Sequence, residues 1–287
     1  MARFTSSASG LGLGKLILRG ASGYGRIHGA LVVRLGVASG ALETFLWQAL
    51  TLEEKASLAL EMYGHRSTVG PVRLYPWEEH WYRCELPPAP AHILVGGAGS
   101  GREMLALLAA GYTVSGFEPA VSLCESARRQ LPGHVQFWRL SYEGLIAAPV
   151  DAPPARYAPY DAVLLGWGSF SHVLDPSLRE RLIRVIDQLS PTGPLLLSFL
   201  LEASTQPNKG KWQRRSEHWG RQVARVRGLA PTTTAPDRLF PHAGFVHQFS
   251  RNEVESLAAL VGRTARWGQD GREYPHCSFV TALGARD

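Results

Sequence analysis

The stretch Ile93-Leu94-Val95-Gly96-Gly97-Ala98-Gly99-Ser100-Gly101-Arg102-Glu103 constrains the fold more than any other part of the sequence. An apolar strand runs into glycines and then directly into a helix. Glycine is needed where the backbone must turn tightly and approach a ligand with no Cβ in the way. The helix start then offers free N–H groups and a partial positive charge to an anion. The same alternation continues along the chain. Strands are expected over 93–95, 112–117, 134–140, 161–166 and 194–201, with two more over 264–268 and 277–283. Helices are expected over 102–110, 121–131, 177–189 and 251–261, several closed by Gly or Pro-Gly. Strands alternating with helices imply a mainly parallel sheet covered on both faces.

Composition supports a packed core and narrows the function. The chain has 287 residues, 45% hydrophobic and 19% charged, with a formal net charge of +6. Most of that positive charge is Arg beside abundant Ala and Gly, as a GC-rich genome gives by itself. No dense Lys/Arg run marks a nucleic-acid arm, so nucleic acid is not the expected partner. No apolar run approaches the ~20 residues of a membrane-spanning helix. Cys84, Cys124 and Cys277 are odd in number and far apart, which excludes a disulfide framework or Cys-rich zinc site and suits the cytoplasm.

Residues 1–42 are rich in Gly, Ser and Arg, have no acid before Glu43, and read as a flexible or short-helical cap. Helical spacing of Leu46, Leu50, Leu58 and Met62 follows, then the aromatic cluster 75–82 and the Pro-rich stretch 86–90. The expected organisation is therefore an N-terminal extension over 1–90 and a main domain over 91–287. Residues 202–249 break the strand–helix rhythm and read as an insertion that covers the site.

Two common nucleotide loops do not fit. From Gly97 and Gly99 the third glycine of a dinucleotide fingerprint falls on Arg102, and from Gly99 and Gly101 it falls on Met104. No Gly-Lys-Ser/Thr follows, which removes the phosphate loop of the Walker type. Gly97-Ala98-Gly99-Ser100-Gly101 instead resembles the G-x-G-x-G loop of class I S-adenosylmethionine (SAM)-dependent methyltransferases, over roughly residues 91–200. The resemblance implies an α/β, doubly wound, mainly parallel seven-stranded sheet (the Rossmann-like methyltransferase fold), with an N-terminal helical extension and an insertion after strand five. It implies SAM as cofactor, its methionine part wrapped by Gly97, Ala98, Gly99 and Gly101. The family usually places an acid two residues before the first glycine; here that position is Val95, so loop carbonyls are expected to hold the cofactor's amino group.

Glu118-Pro119 ends the second strand, where the family carries an acid that grips both ribose hydroxyls. A carboxylate suits this because it only accepts and can take two O–H donors at once. Ser141 and Tyr142 fall by spacing where the family contacts adenine, and Gly166 leaves room for the sulfonium.

The acceptor half is read from the residues alone. Gly166-Trp167-Gly168-Ser169-Phe170-Ser171-His172 follows strand four and should floor the site, with Trp167 or Phe170 as a wall. Trp77 and Trp81 share a helical face, and Trp212 with Arg215 lies in the insertion; these are the other candidate acceptor contacts. Together they suggest a small apolar or aromatic acceptor. His172 and His247 are candidate bases, His242 a weaker one. No carboxylate cluster suits a metal, so none is expected. The reading is a SAM-dependent methyltransferase acting on a small molecule, with oxygen the target, in bacterial specialised metabolism. Methylation of a lipid, peptide or RNA, or non-catalytic SAM binding, stays open, and a homodimer is compatible with the sequence.

Overall fold

The computed structural model describes residues 50–64, 73–202, 238–240, 244–268 and 275–281, with the isolated positions 218, 222 and 226. In chain order its elements begin with α1 (Leu52–Gly64), α2 (Pro76–Glu85), β1 (His92–Gly96), α3 (Arg102–Ala109), β2 (Thr113–Phe117) and α4 (Val121–Gln130). Next come β3 (Gln136–Trp138), α5 (Tyr142–Ala147), β4 (Ala162–Leu165), α6 (Pro176–Leu189) and β5 (Leu195–Ser198). The short strands β6 (Leu200–Leu201), β7 (Arg238–Phe240), β8 (Gly244–Val246) and β9 (Gln248–Phe249) precede α7 (Arg251–Ala259), β10 (Thr264–Trp267) and β11 (His276–Val280). The chain divides into two compact units, residues 1–49 with 205–233 and residues 50–204 with 234–287. In the first, the described residues are the helical positions His218, Gln222 and Val226; all else below concerns the second.

One seven-stranded sheet runs in the order β10-β11-β5-β4-β1-β2-β3. Strands β1 to β5 pair in parallel, whereas β11 is antiparallel to both β5 and β10. The architecture is the doubly wound one expected. Strand order reverses at β1, which lies between β2 and β4, and a crevice for ligands opens beyond the C-terminal ends at such a point.

Alternation along the strands divides the core in two. Ile93, Val95, Ala162, Leu164 and Leu196 face one layer with Met104, Leu107, Cys124 and Ala127 of α3 and α4. Leu94, Val163, Leu165, Leu195 and Leu197 face the other, with Leu182, Ile183 and Ile186 of α6 and Val254 and Leu257 of α7. Asp175 caps α6 by accepting from the Ser177 N–H at 2.8 Å, with Pro176 at the first helical position. Helix α3 packs tightly on the sheet: a Cβ on Gly116 would lie 2.5 Å from Met104 Sδ.

The boundary expected at residue 90 does not separate two cores. Trp81, Tyr82 and Leu86 are buried in the same cluster as Ile93, Val95 and Leu196, because α2 needs the sheet to cover its aromatic face. Helix α1 packs on β8, where Ala59 sits so close that Gly244 has no room for a Cβ. The segment 202–249 leaves and returns at one place, since Leu200–Leu201 pairs in parallel with Gln248–Phe249.

Arg263 locks the last part of the sheet. Its buried guanidinium bonds Asp187 Oδ1 at 2.7 Å and donates to the carbonyls of Ser190, Gly193 and Phe279. It thereby ties the end of α6 and the approach to β5 to β11. Removing one partner of a buried, hydrogen-bonded charge typically costs about 3–5 kcal/mol. Arg263→Ala should lower the unfolding free energy by that amount in a urea titration; a value within about 1 kcal/mol of wild type would show that the hub contributes little.

Candidate functional site

A cavity of about 320 Å³ opens at the C-terminal ends of β1, β2 and β4, where the strand order reverses. Its wall includes Gly97, Ala98, Gly99, Ser100, Glu118, Pro119, Ser141, Tyr142, Gly166, Trp167, Ser169 and His172. The size suits a small-molecule site, for which about 300–1,000 Å³ is usual.

The glycine loop shapes the floor. Gly97 has φ +62° and is pressed against Ser169, whose Cβ would lie 2.8 Å from any Cβ added there. Gly99 has φ +56°, and a Cβ there would meet no protein atom within 4 Å, so the space beside it belongs to the cavity. Glu118 braces this loop. Its Oε2 accepts from the Gly99 N–H and its Oε1 from the Ala120 N–H, both at 2.9 Å. Burial raises its pKa, and these two bonds partly offset that. Each oxygen keeps one lone pair after these bonds, so the carboxylate can still take two hydroxyl donors.

Ser141 caps α5 by accepting from the Gly144 N–H at 3.1 Å, which fixes it at the cavity rim. Tyr142 donates to Ser169 Oγ at 3.0 Å and meets Phe117 edge-on. The short helix α5 is not apparent in the sequence pattern, and its cap is what places both residues.

Tyr75, from the aromatic cluster 75–82, and Arg102 and Glu103, from the first turn of α3, also line the wall. Tyr75 stacks on Trp167 with ring centroids 4.6 Å apart, and the Arg102 guanidinium lies 5.1 and 5.2 Å from the two rings. Trp167 holds φ +47°, a costly conformation for a non-glycine residue, to reach this stack. Arg102 forks onto Glu78 through two 2.6 Å bonds, and Glu78 also accepts the Tyr75 N–H. Glu103 is buried, accepts from the Tyr82 hydroxyl at 2.7 Å and stands 3.7 Å from Arg102. Burial, then the neighbouring Glu78, push its carboxyl up to about 7 against the pull of Arg102 and Tyr82. One signal for Glu103 was in the sequence: it shares the inner face of α3 with Leu107, four residues on, where a carboxylate has no packing reason to be. On the far side, Ala56, Ala59 and Leu60 of α1 give an apolar surface.

Two solved structures share this architecture. A SAM-dependent methyltransferase from Bacteroides fragilis, in complex with S-adenosyl-L-homocysteine, is 16% identical, with 80% of this chain and 94% of that one covered at a TM-score of 0.51. The sugar N-methyltransferase KedS8 from Streptoalloteichus is 15% identical, with 74% and 90% covered at a TM-score of 0.50. The chain has the class I methyltransferase fold. Neither a protein-family model nor a curated protein matches the sequence.

Within this methyltransferase fold several expected acceptor contacts lie elsewhere. Trp77 and Trp81 do share a face, 6.0 Å apart, but it turns toward the sheet. Trp81 donates to Ser278 Oγ at 2.9 Å and both rings pack on His276 of β11, because large aromatic surfaces gain most from the core. Phe170 is fully buried and stacks on Phe249 at 4.9 Å, so it supports the floor from beneath. His247 is buried beside Ser171 and is not among the cavity's lining residues; its Nε2 lies 2.9 Å from Glu253 Oε2. Burial pushes the Glu253 carboxyl up, but His247 and Arg179 outweigh this and hold it below the usual range. His247 thus anchors α7 and is not the expected base. Trp212, Arg215 and His242 lie outside the described residues. Among the described residues no group of three His, Cys, Asp or Glu side chains could hold a metal, and no helix is long and apolar enough to cross a membrane.

His172 is the histidine in the cavity wall, and burial lowers its pKa from 6.5 to about 4. Above pH 6.5 the imidazole is neutral folded or unfolded and adds no pH dependence. Below that the unfolded chain takes up a proton that the native site resists, so stability falls as pH drops from 6.5 toward 4. Wild type should lose about 2 kcal/mol more than His172→Asn across this window in urea unfolding. Parallel curves for the two proteins would show that His172 titrates normally.

Proposed function

We propose that this chain is a SAM-dependent methyltransferase of the class I family, and that it methylates an oxygen of a small apolar or aromatic acceptor. One observation carries the reading: a cavity at the reversal point of the sheet joins an open glycine loop, a Glu118 carboxylate with two unused acceptor sites, and an apolar wall around a neutral histidine. Glu118 would hold the ribose hydroxyls, Ser141 and Tyr142 would flank the adenine, and Gly97 to Gly101 would wrap the methionine part. Bound SAM would supply an electrophilic methyl group on a sulfonium.

The protein's own part is alignment and water exclusion, which contribute on the order of 7–11 kcal/mol to such reactions when the partners are well oriented. Trp167, stacked on Tyr75, and the α1 residues Ala56, Ala59 and Leu60 would cover the acceptor from the side facing the loop. A hydroxyl must lose its proton as the new O–C bond forms and the S–C bond breaks; His172 lines the same cavity and would take it, against a burial that disfavours the imidazolium. We assign residues 50–64 and Tyr75 to the acceptor cap. The chemistry suits a cytoplasmic enzyme of bacterial specialised metabolism.

Two measurements test the assignment. Glu118→Ala should weaken S-adenosylhomocysteine binding by about 2–4 kcal/mol in calorimetry, since both charge-assisted ribose bonds are lost. Unchanged affinity in a folded variant would remove Glu118 from the site. His172→Gln should bind the same ligand normally yet release methyl groups to a hydroxyl acceptor about 10²–10⁴-fold more slowly. A near-wild-type rate would exclude histidine as the proton acceptor. Ligand binding without methyl transfer to any acceptor tried would favour a non-catalytic SAM-binding protein.

A further inference from the structure

We infer that Glu103 holds the α-ammonium group of the cofactor's methionine tail, taking over from an acid that β1 lacks. This rests on the methyltransferase reading above. Position 95 is a valine, wholly buried among Ile93, Met104 and Leu164, so β1 presents no carboxylate to the cavity. Glu103 reaches the same cavity from the first turn of α3. Its carboxylate lies over the end of β4, so close to Gly166 that a Cβ on that glycine would collide with Oε1.

The direction of the ligand follows from the wall. With ribose on Glu118 and adenine toward Ser141 and Tyr142, the opposite end of the molecule must extend past Gly97 toward Gly166 and Glu103. That end carries the ammonium. The charge balance fits as well. Glu78, Arg102 and Glu103 form one buried group of two carboxylates and one guanidinium, and Arg102 is committed to Glu78 through its two-pronged contact. With both carboxylates ionised the group carries one excess negative charge, which favours the tail's ammonium over its α-carboxylate at this point, where an uncompensated charge is costly. Tyr82 occupies one acceptor site of Glu103, and a carboxylate offers about four. The elevated Glu103 pKa has the same origin: burial beside Glu78 leaves the anion short of positive charge.

Calorimetry with three ligands on the full chain tests this: S-adenosylhomocysteine, its deaminated analogue that keeps the carboxylate, and 5′-methylthioadenosine, which lacks the amino-acid tail. Glu103→Gln should weaken S-adenosylhomocysteine about 10–100-fold. It should leave 5′-methylthioadenosine within about twofold of wild type, and it should cease to distinguish S-adenosylhomocysteine from the deaminated analogue. Retained 5′-methylthioadenosine binding also reports that the variant is folded. Glu103→Asp, which keeps the charge on a shorter arm, is the second variant and should show a smaller loss with the same selectivity. The inference is overturned if S-adenosylhomocysteine binds the folded variants as it binds wild type. Equal weakening of S-adenosylhomocysteine and 5′-methylthioadenosine, or failure of both variants to fold, would assign Glu103 to the framework alone and overturn it too. If wild type binds none of the three ligands, the methyltransferase reading itself fails.

Discussion

Everything in this site depends on how the chain leaves the central strand. β1 is hydrogen-bonded on both edges, to β2 and β4, and its last residue must turn into α3 inside a space already bounded by its neighbours. At Gly96 a Cβ would lie 2.6 Å from Leu165 and 2.7 Å from Phe117, and at Gly97 2.8 Å from Ser169. The packing of β2, β4 and the segment after β4 thus favours glycine at both positions, reinforced at Gly97 by its φ of +62°, before any ligand is considered. The same closeness makes the loop rigid. Ala98 donates to the Phe117 carbonyl and Gly99 to Glu118, so the loop is stitched to the end of β2 along its length. A site built this way is held in shape by the sheet and does not rely on the ligand to organise it, which lowers the cost of binding.

The same loop delivers Arg102 and Glu103 into the group that couples α2 to the sheet. Burying a fork of Arg on Glu is not in itself a large source of stability, because desolvation offsets most of the attraction. Its effect here is positional. Glu78 accepts from the Tyr75 N–H while holding Arg102, and Arg102 lies against both Tyr75 and Trp167. The aromatic stack over the cavity mouth is therefore fixed by a charge contact beneath it. Rotating α2 would break the fork, the Tyr82–Glu103 bond and the Trp81–Ser278 bond together.

Much of this was legible in the sequence because it is local or periodic. The strand–glycine–helix run, the acid at the end of β2 and the strand–helix alternation each come from neighbouring residues, and they place Gly97, Gly99, Glu118 and Gly166 around one cavity. What failed was direction. The spacing of Trp77 and Trp81 shows that they share a face, but nothing in it says whether that face meets the ligand or the sheet, and it meets β11. His247 stands near the returning end of a segment thought to cover the mouth, yet its neighbours in space are Ser171 and Glu253. Tyr75 belongs to the same aromatic cluster, yet only the fold shows that this ring, and not Trp77 or Trp81, stacks on Trp167.

The contrast between the two halves of the cavity has one physical origin. A cofactor with a sugar and a charged tail must be met by oriented polar groups, and polar groups at strand ends leave marks in sequence: glycines where the backbone approaches, an acid where hydroxyls are held. The side proposed for the acceptor is lined by Ala56, Ala59, Leu60, Tyr75 and Trp167, which would act through shape and exclusion of water. Residues of this kind are chosen for volume, so many sequences satisfy the same wall and no fixed spacing records it. Glu103 belongs to the first kind although it does not stand where the resemblance would put an acid. A carboxylate can reach one point in space from the end of β1 or from the first turn of α3, since the loop brings both to the same cavity. The chemistry of the ligand specifies where the charge must be, and the fold leaves open which element supplies it.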